Sequence, residues 1–494
     1  MTKSSQANTY NTPVICGVET EYGVLSSDPK VDHFLASAFV VNAFTELYKN
    51  DYVSNWNFDD ETPGMDVFGN NYQISVNPDL KNLVLTNGSR FYVDHAHPEY
   101  ATPECISPLD VLKADKIGDQ IAIKCAEHVY ESHGVNVTLY KNNSDGKGNS
   151  YGTHENYLLN RKINFENIVE VMLPHLISRQ IYTGSGKVGS ENGTEYCDFQ
   201  ISQRSDFFEQ IIGVETTNRR PIINTRDEPH ATFDDYRRLH VIAGDANLCE
   251  VAQYLKVGVT QLILQALTQG IVFPKYDITD PIKAVQSVSR DITCKENILG
   301  FKENISPLDV QEEFYNIIYK EVNKGNIDFV DSSDILGWWA KVLDGLRTSY
   351  KSVSKYVDWA AKLNLLESYI AKNDLDYKNP KIKAINVQYH DLRPAKSLFL
   401  KCKTEKILSD KDLNNLFEPP ADTRAYFRGK IIQKYNSSVE SVNWDNILVR
   451  IQDNQLVSIP MMNPHLGTKH MVEGLINSCE SIDELVNQIG GKHD

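Results

Sequence analysis

The segment from Arg90 to Glu104, RFYVDHAHPEYATPE, combines a strand with a dense group of ionisable side chains. Residues 88–94 alternate as a β-strand does, which places Arg90, Tyr92 and Asp94 on one face. Asp94 ends that strand, where a side chain can project into a cleft. Further ionisable residues follow at once: His95, His97, Glu99 and Glu104. The pattern fits a catalytic site and fits equally well a strand followed by an ordinary polar loop.

A second strand is predicted upstream, at residues 14–24, with the sequence VICGVETEYGV. Its alternation places Glu19 and Glu21 on one face. Two neighbouring carboxylates repel each other unless a cation or an arginine lies between them. Mg²⁺ suits such a pair because it prefers oxygen ligands and bridges to phosphates. The alternative interpretation is a solvated strand face.

Two later segments add candidate ligands. YGTHENYL presents His154 and Asn156 on one strand face, and YRRLHVI presents Arg238 and His240 on another. In DTRAYFRG, two arginines lie four residues apart and share a face if that segment is helical. Two guanidiniums on one face suit a polyphosphate, and they equally suit ion pairs with nearby acids.

The remaining pattern predicts an α+β protein. Helices are expected at about 34–49 and at 107–132, where Ser107 and Pro108 form a helix start, and again after Asp245 as a cap and across 306–373. Strands are expected at 135–141, 150–159, 178–183, 197–203, 210–215, 221–226 and 237–243. Strands joined mainly by hairpins, with helices added afterwards, are typical of α+β rather than alternating α/β folds.

Composition excludes several classes of protein. The chain has 494 residues, with 66 acidic against 50 basic ones, for a net charge of −16. This charge disfavours nucleic-acid binding, which needs lysine and arginine against phosphates. The sequence contains no apolar run of membrane length, so no membrane partner is expected. Its eight cysteines form no CxxC pair, which predicts free thiols and a cytoplasmic location.

Taken in order, the motifs resemble the Pup ligase/deamidase family of glutamine-synthetase-like carboxylate–amine ligases. The matching segments are GVETEYG, NGSRFYVDHAHPEYATPE, LYKNNSDGKGNSYGTHENYL, TGSGKVG, QRSDF, INTRDEPHA, YRRLHVIAGDAN and PPADTRAYFRG. The resemblance implies a glutamine-synthetase-like catalytic domain at residues 1–415, with a curved antiparallel sheet as a cradle and helices. It also implies a small C-terminal domain at 416–494 and an insertion loop within about 26–88.

The resemblance assigns roles to individual residues. Asp94 matches the catalytic aspartate. The implied magnesium-binding group comprises Glu19, Glu21, Tyr92, Glu99, His154 and His240. The implied nucleotide-binding group comprises Arg90, Thr102, Asn156, Arg204, Arg238, Arg424 and Trp444.

The family contains hydrolases and ligases, and two features are closer to the hydrolases. These are the form DHAHPEY and the long separation between Glu19 and Asp94. The resemblance therefore implies an ATP- and Mg²⁺-dependent amide hydrolase that uses ATP, or ADP plus phosphate, as a bound cofactor. Its partners would be the ubiquitin-like protein Pup and pupylated proteins. The alternatives are a Pup–protein ligase, a non-catalytic Pup-binding regulator and a ligase of small molecules.

Overall fold

The computed structural model describes residues 12–56, 67, 81–490 and 492–493. Residues 1–11 lie outside the described residues, and so do residues 57–66 and 68–80 of the range predicted to hold the insertion loop. In chain order the strands are β1 (Cys16–Glu21), β2 (Gly23–Ser26), β3 (Tyr52–Val53), β4 (Asn82–Leu85), β5 (Arg90–Asp94), β6 (His97–Ala101), β7 (Val137–Tyr140), β8 (Thr153–Asn160), β9 (Lys187–Val188), β10 (Phe199–Gln200), β11 (Phe208–Gly213), β12 (Arg220–Asn224), β13 (Tyr236–Val241), β14 (Val439–Val442), β15 (Asn446–Arg450), β16 (Leu456–Pro460) and β17 (Lys492–His493).

The helices carry most of the remaining regular structure. They are α1 (His33–Leu47), α2 (Pro108–His133), α3 (Phe165–Ser178), α4 (Gln180–Thr183), α5 (Glu250–Thr268), α6 (Pro281–Arg290), α7 (Pro307–Asn323), α8 (Ser332–Thr348), α9 (Asp358–Asn373), α10 (Pro380–Gln388), α11 (Arg424–Tyr435), α12 (Lys469–Ser478) and α13 (Ile482–Ile489). Within the described ranges, no helix combines the length and the apolarity that a bilayer crossing requires.

The centre of the molecule is a sheet in which seven of the described strands run in the order β13-β8-β1-β6-β5-β4-β3. Every adjacent pair in it is antiparallel. An antiparallel sheet accompanied by helices confirms the predicted α+β class. Because side chains alternate along each strand, directly paired residues project to the same face, and the register fixes which side chains meet.

Helices cover one face of this sheet, and in the part of the chain that the structure describes the other face is open. Val18, Tyr157 and Leu239 lie on the covered face of three adjacent strands, and they share a buried core with residues of α5, α7 and α8. Further along the sheet, Phe91 and Tyr100 pack with buried residues of α1 and α2. Burying large apolar side chains stabilises this arrangement by ~1.5–3 kcal/mol for each side chain. Polar side chains that alternate with these apolar ones, such as Glu19 after Val18 and His240 after Leu239, therefore project from the opposite face.

The predicted helix start at Ser107 is confirmed. The Ser107 hydroxyl accepts a hydrogen bond from the backbone N–H of Leu109, and Pro108 occupies the first turn of α2. At its other end α2 stops at Gly134, whose φ of 68° lies in the left-handed region that glycine adopts without strain. Such a serine cap contributes ~1 kcal/mol.

Two predictions of local structure are wrong. Residues 178–183 form the end of α3 and the short helix α4, not a strand. In this stretch Arg179 lies on the covered side of the sheet, where its Nη2 is 2.5 Å from Oε1 of buried Glu155. Asp245 does not cap a helix, since α5 begins at Glu250. Asp245 instead accepts hydrogen bonds from the backbone N–H groups of Ser185 and Gln203.

The C-terminal part of the chain has a hydrophobic cluster of its own. Strands β14 to β17 form one sheet, and buried residues of this sheet pack with α11, α12 and α13. Val53, Trp56 and Val84 also belong to this cluster, and they join it to the edge of the central sheet. The division between a catalytic domain at 1–415 and a small domain at 416–494 stays a prediction.

Candidate active site

Most of the candidate site residues that were predicted from the sequence lie on the open face of the central sheet. Glu19 pairs with His154 across β1 and β8, Glu21 pairs with Glu99 across β1 and β6, and Tyr92 pairs with Glu99 across β5 and β6. His240 on β13 pairs with Asn156, and Asp94 ends β5 on the same face. All of these except Asn156 line a cleft of about 850 Å³.

Glu19, His154 and His240 form a first group of possible cation ligands, with one ligand atom of each within 4.8 Å of the others. The His154 Nδ1 lies 3.3 Å from Glu19 Oε2, and the Asn156 amide donates to Glu19 Oε1 at 2.9 Å. Burial acts to raise the pKa of Glu19. The hydrogen bond with His154 and the nearby charge of His240 outweigh burial, so that pKa falls below its ordinary value. Glu19 therefore stays ionised.

Glu21, Asp94 and Glu99 form a second group with the same spacing. Glu99 is buried, and the Tyr92 hydroxyl donates to its Oε1 at 2.5 Å. Burial, followed by the charges of Asp94 and Glu21, raises the pKa of Glu99 well above its ordinary value. Three carboxylates this close repel one another until a positive charge lies between them.

The donor chemistry of this face fits divalent cations. The second group offers carboxylate oxygens alone, which Mg²⁺ prefers. The first group adds imidazole nitrogens, which Mg²⁺ takes less readily than zinc or other transition metals do. The pKa of buried Glu99 is raised because negative charges lie close together in this cluster, and a bound cation would reduce their repulsion.

Asp94 differs from the other carboxylates because it lies at the lip of the cleft. Its side chain is 39% exposed, and its Oδ2 lies 2.8 Å from Nδ1 of His95. Burial opposes ionisation, but the hydrogen bond with His95 and the charges of His154 and Arg90 lower the pKa of Asp94. A carboxylate that is both ionised and reachable by solvent is suited to react with a bound substrate.

Arginines form the wall of the cleft beyond the carboxylates. Arg204 is 1% exposed, and in the part of the chain that the structure describes its Nε and Nη1 have no hydrogen-bond partner. Burial, together with the nearby charge of Arg220, lowers the pKa of Arg204 to about 10. A buried guanidinium with unused donors is a strong candidate to bind an anion such as a phosphate.

Two arginines of this wall, Arg220 and Arg226, were not nominated from the sequence. Both line the cleft. Arg220 donates to the backbone carbonyls of Thr216 and Ser150, at 2.9 and 2.7 Å, and so connects two loops of the rim. The segment INTRDEPHA contains Arg226 directly after strand β12, and an arginine in that position was the available signal.

Arg90 and Thr102 occupy different positions around the cleft. The Arg90 guanidinium lies between the rings of Trp56 and Tyr92, 3.8 and 4.0 Å from their centroids, and Nε donates to Asn82. Thr102 is buried in a recess beside the cleft, where its Oγ1 accepts from the backbone N–H of Val18 at 2.9 Å. Arg90 therefore lines the cleft, and Thr102 lines the recess.

The recess continues from the cleft towards the C-terminal part of the chain. It is lined by Gly17, Thr102, Glu104, Arg238, Arg424 and Trp444, among others. Arg424 and Arg428 both lie on α11, as the helical interpretation predicted, and both pair with the Glu104 carboxylate. Arg424 Nη1 also donates to the backbone carbonyls of His230 and Met461. The role of Arg424 as a nucleotide contact stays a prediction.

Comparison with known proteins gives this geometry a context. The profile of the family described as Pup-ligase protein matches residues 14–448. The chain belongs to this family. It is 37% identical to the Pup deamidase/depupylase of Mycolicibacterium smegmatis, over 96% of this chain and 99% of that protein. It is also 37% identical to the depupylase of Acidothermus cellulolyticus, over 97% and 99% of the two chains.

In sequence, Pup–protein ligases of the family are similar to this chain over a shorter part of it. The Pup–protein ligase of Actinosynnema mirum is 37% identical over 80% of this chain and 90% of that one. Among solved structures, the complex of Pup with its ligase PafA superposes with a TM-score of 0.78 and 28% identity, over 96% of this chain and 95% of that chain. PafA in complex with ADP gives 0.72 and 32%, over 80% and 89%.

Proposed function

We propose that this family member is a Pup deamidase/depupylase. It would hydrolyse the side-chain amide of a C-terminal glutamine of Pup, the isopeptide bond between Pup and a target lysine, or both. The observation that carries the proposal is the position of Asp94, a reachable carboxylate that belongs to one of the two groups of possible cation ligands on this face. The 37–38% identity to Pup deamidases/depupylases and to a depupylase, over nearly the full length of both chains, supports it.

The two bonds present the same chemical problem. Each is an amide of a γ-carboxyl group, and an amide carbonyl is a poor electrophile. A site that cleaves it must supply a nucleophile and stabilise the negative charge that develops on oxygen. Asp94 would act either by direct attack on the carbonyl carbon or as the base that deprotonates a water molecule. Its lowered pKa keeps it in the ionised form that both routes use.

The other groups of the cleft would hold the substrate and its cofactors. Glu19, Glu21 and Glu99 would bind Mg²⁺, which when bound supplies positive charge next to the reacting oxygen. Arg204, Arg226 and Arg238 face the same space and would hold the phosphates of a nucleotide, as the ADP complex of a relative supports. Hydrolysis of an amide in water is favourable, so the nucleotide would serve as a bound cofactor.

A Pup–protein ligase is the second candidate. The likeness to the PafA–Pup complex over 96% of the chain is the observation that favours it. A ligase would convert ATP to ADP in step with conjugation, whereas the hydrolase would cleave many amides for each nucleotide bound. ATP turnover in a 1:1 ratio with amide cleavage would contradict the cofactor role proposed above.

The location of the protein belongs to the same proposal. All eight cysteines are free, and none is in a disulfide. Free thiols are typical of a reducing compartment, which supports a cytoplasmic location.

The first test is mass spectrometry of glutamine-ended Pup incubated with the protein, Mg²⁺ and ATP. We expect the wild type to convert glutamine to glutamate, with a mass increase of about 1 Da for the exchange of NH₂ for OH. The Asp94→Asn variant should be slower by ~1,000-fold or more, because the reacting carboxylate is gone.

A matched control is Asp374→Asn. Asp374 is exposed and has a φ of 52°, a conformation that asparagine tolerates well. It should retain wild-type activity. Equal activity of the wild type and Asp94→Asn would contradict the role of Asp94. ADP formation with glutamate-ended Pup and a target protein, without deamidation, would favour the ligase.

A further inference from the structure

His95 has an unusual backbone conformation for its position. Asp94 pairs with His97 at the end of the β5–β6 hairpin, so His95 and Ala96 alone make the turn. The φ of His95 is 52°, in the left-handed region that glycine adopts freely and that other residues adopt at a cost. Two-residue hairpin turns favour glycine and asparagine at such positions. A histidine here is therefore not explained by the turn itself.

The side chain of His95 is not explained by packing either. It is 65% exposed and lines the cleft, so it contributes little to the hydrophobic core. Its Nδ1 lies 2.8 Å from Oδ2 of Asp94. Such exposed pairs contribute little to folding stability. Backbone strain that stability does not explain is concentrated at functional sites.

The remainder of the hairpin is held by other contacts. His97 Nδ1 lies 3.0 Å from the carbonyl oxygen of Tyr22, and its ring stacks on Tyr151 with centroids 4.4 Å apart. The Ser37 hydroxyl donates to the carbonyl of Ala96 at 2.8 Å. These contacts fix the backbone on both sides of the turn. Among the residues that the structure describes, the hydrogen-bond partner of the Asp94 carboxylate is His95.

We propose that His95 is a positioning residue that holds the Asp94 carboxylate in its reactive orientation. Nδ1–H donates to Oδ2, which stops rotation of the carboxylate and leaves Oδ1 directed at the substrate or the attacking water. Reaction rates depend steeply on such alignment. The left-handed turn is what brings the imidazole back over the preceding residue. This inference rests on the proposed function, in which Asp94 is the reacting group.

The substitution His95→Gly distinguishes a role of His95 in the stability of the turn from a role in holding the Asp94 carboxylate. In His95→Gly the turn loses its strain and Asp94 loses its hydrogen bond. We expect kcat for deamidation to fall 10- to 100-fold, with KM for Pup and for ATP within twofold of wild type. The thermal unfolding midpoint should stay unchanged or rise. His95→Asn keeps a donor and tolerates the left-handed region, and it should recover at least part of the lost kcat.

Ala96→Gly serves as a control for added flexibility in the same turn, and it should keep wild-type kcat. Wild-type kcat in His95→Gly would overturn the proposal. So would a loss of activity that only follows a lower unfolding midpoint. Failure of the wild type to deamidate Pup, or full activity of Asp94→Asn, would instead contradict the proposed function.

A second readout does not depend on turnover. ¹⁵N-histidine NMR of the whole protein reports which ring nitrogen of His95 carries the proton. We expect the Nδ1–H form in the wild type and a shift away from it in Asp94→Asn, because a neutral amide oxygen accepts a hydrogen bond more weakly than a carboxylate does. Identical His95 spectra in the two proteins would overturn the proposal whatever the activity assays give.

Discussion

Glu99 and Glu104 lie in one short segment, yet their surroundings have opposite electrostatic effects. Glu99 is buried with Asp94 and Glu21 close by, and its pKa is raised well above the ordinary value. Glu104 is also largely buried, but Arg428 and Arg424 outweigh burial and lower its pKa to about 2. Burial is common to both residues, so the charges of the neighbours decide. The first carboxylate is left to bind a ligand, whereas the second is already satisfied within the protein.

This contrast has a structural origin. Glu99 belongs to strand β6 and faces the open side of the sheet, where other strands present acids at paired positions. Glu104 lies beyond the end of β6, where α11 brings two guanidiniums from the C-terminal part of the chain. Removing the charge of Glu104 should therefore affect folding, and removing the charge of Glu99 should affect function. Two substitutions test this difference, and a third, Gly152→Ala, tests the position of His154 in the other group of possible cation ligands.

Glu104→Gln should have the largest effect on stability. Loss of this charge leaves Arg424 and Arg428, both buried, without their anion, at a cost of about 3–5 kcal/mol in the free energy of unfolding. Chemical denaturation of the variant and the wild type at neutral pH measures that difference. A loss below ~1 kcal/mol would contradict the comparison, because Glu104 would then resemble an exposed surface ion pair.

The same pair of proteins gives a pH test. An acid whose folded pKa is lowered contributes stability above its ordinary pKa of about 4.3, and loses it as the pH falls through the folded value. For Glu104 that value is about 2. The stability difference between wild type and Glu104→Gln should therefore be constant above about pH 5 and shrink between about pH 4.5 and 2. A difference that grows on acidification would contradict the assignment.

Glu99→Gln should reduce activity while leaving the fold intact. The amide oxygen of the new side chain can still accept the Tyr92 hydroxyl, but it cannot supply a charged oxygen to a cation. We expect kcat to fall ~100-fold, equivalent to ~2.7 kcal/mol, and the rise of the unfolding midpoint with Mg²⁺ to be lost.

Glu131→Gln, at a side chain that is 75% exposed, is the matched control and should respond to Mg²⁺ as the wild type does. If the unfolding midpoint of Glu99→Gln rises with Mg²⁺ as much as that of the wild type, the role of Glu99 as a cation ligand is contradicted. A stability loss as large as that of Glu104→Gln would remove the contrast between the two glutamates.

Gly152→Ala should have the smallest effect of the three. A Cβ at residue 152 would lie 2.1 Å from Nε2 of His154, so the imidazole would have to move from its place beside Glu19. We expect a kcat reduced ~10-fold and a stability loss of ~1–3 kcal/mol from the steric conflict. Steady-state kinetics with thermal unfolding checks both. Gly474→Ala, where a Cβ meets nothing within 4 Å, is the control.

Much of the fold followed from local patterns in the sequence. The period-two alternation around Glu19 and around Tyr92 predicted two strands and the faces of their acids, and both are confirmed. The serine–proline start at Ser107 is also confirmed, and within the predicted helical stretch α7 begins in the same way, with Ser306 as its cap and Pro307 in its first turn. These features are local, because a strand face or a helix cap depends on residues a few positions away.

Other features depend on contacts that a single sequence does not reveal. Whether Glu21 faces Glu99 is decided by strand register, which needs the whole sheet. The short segment SRQIYT at 178–183 fits a strand and a helix equally well, and its pattern alone does not separate them. The sequence could not show that Arg179 pairs with Glu155 there, nor that Asp245 joins two distant loops instead of capping a helix. Arg220 and Arg226 were missed for the same reason.

The contact of Glu104 with α11 has a consequence for synthesis of the protein on the ribosome. Arg424 lies 320 residues after Glu104, and Trp444 follows later still. All the carboxylates of the open sheet face are translated within the first 99 residues. The recess beside them is complete only when nearly the whole chain has emerged from the exit tunnel. A nascent or truncated chain that stops before Arg424 would carry the reactive acids without the finished recess, so synthesis itself would delay assembly of the site.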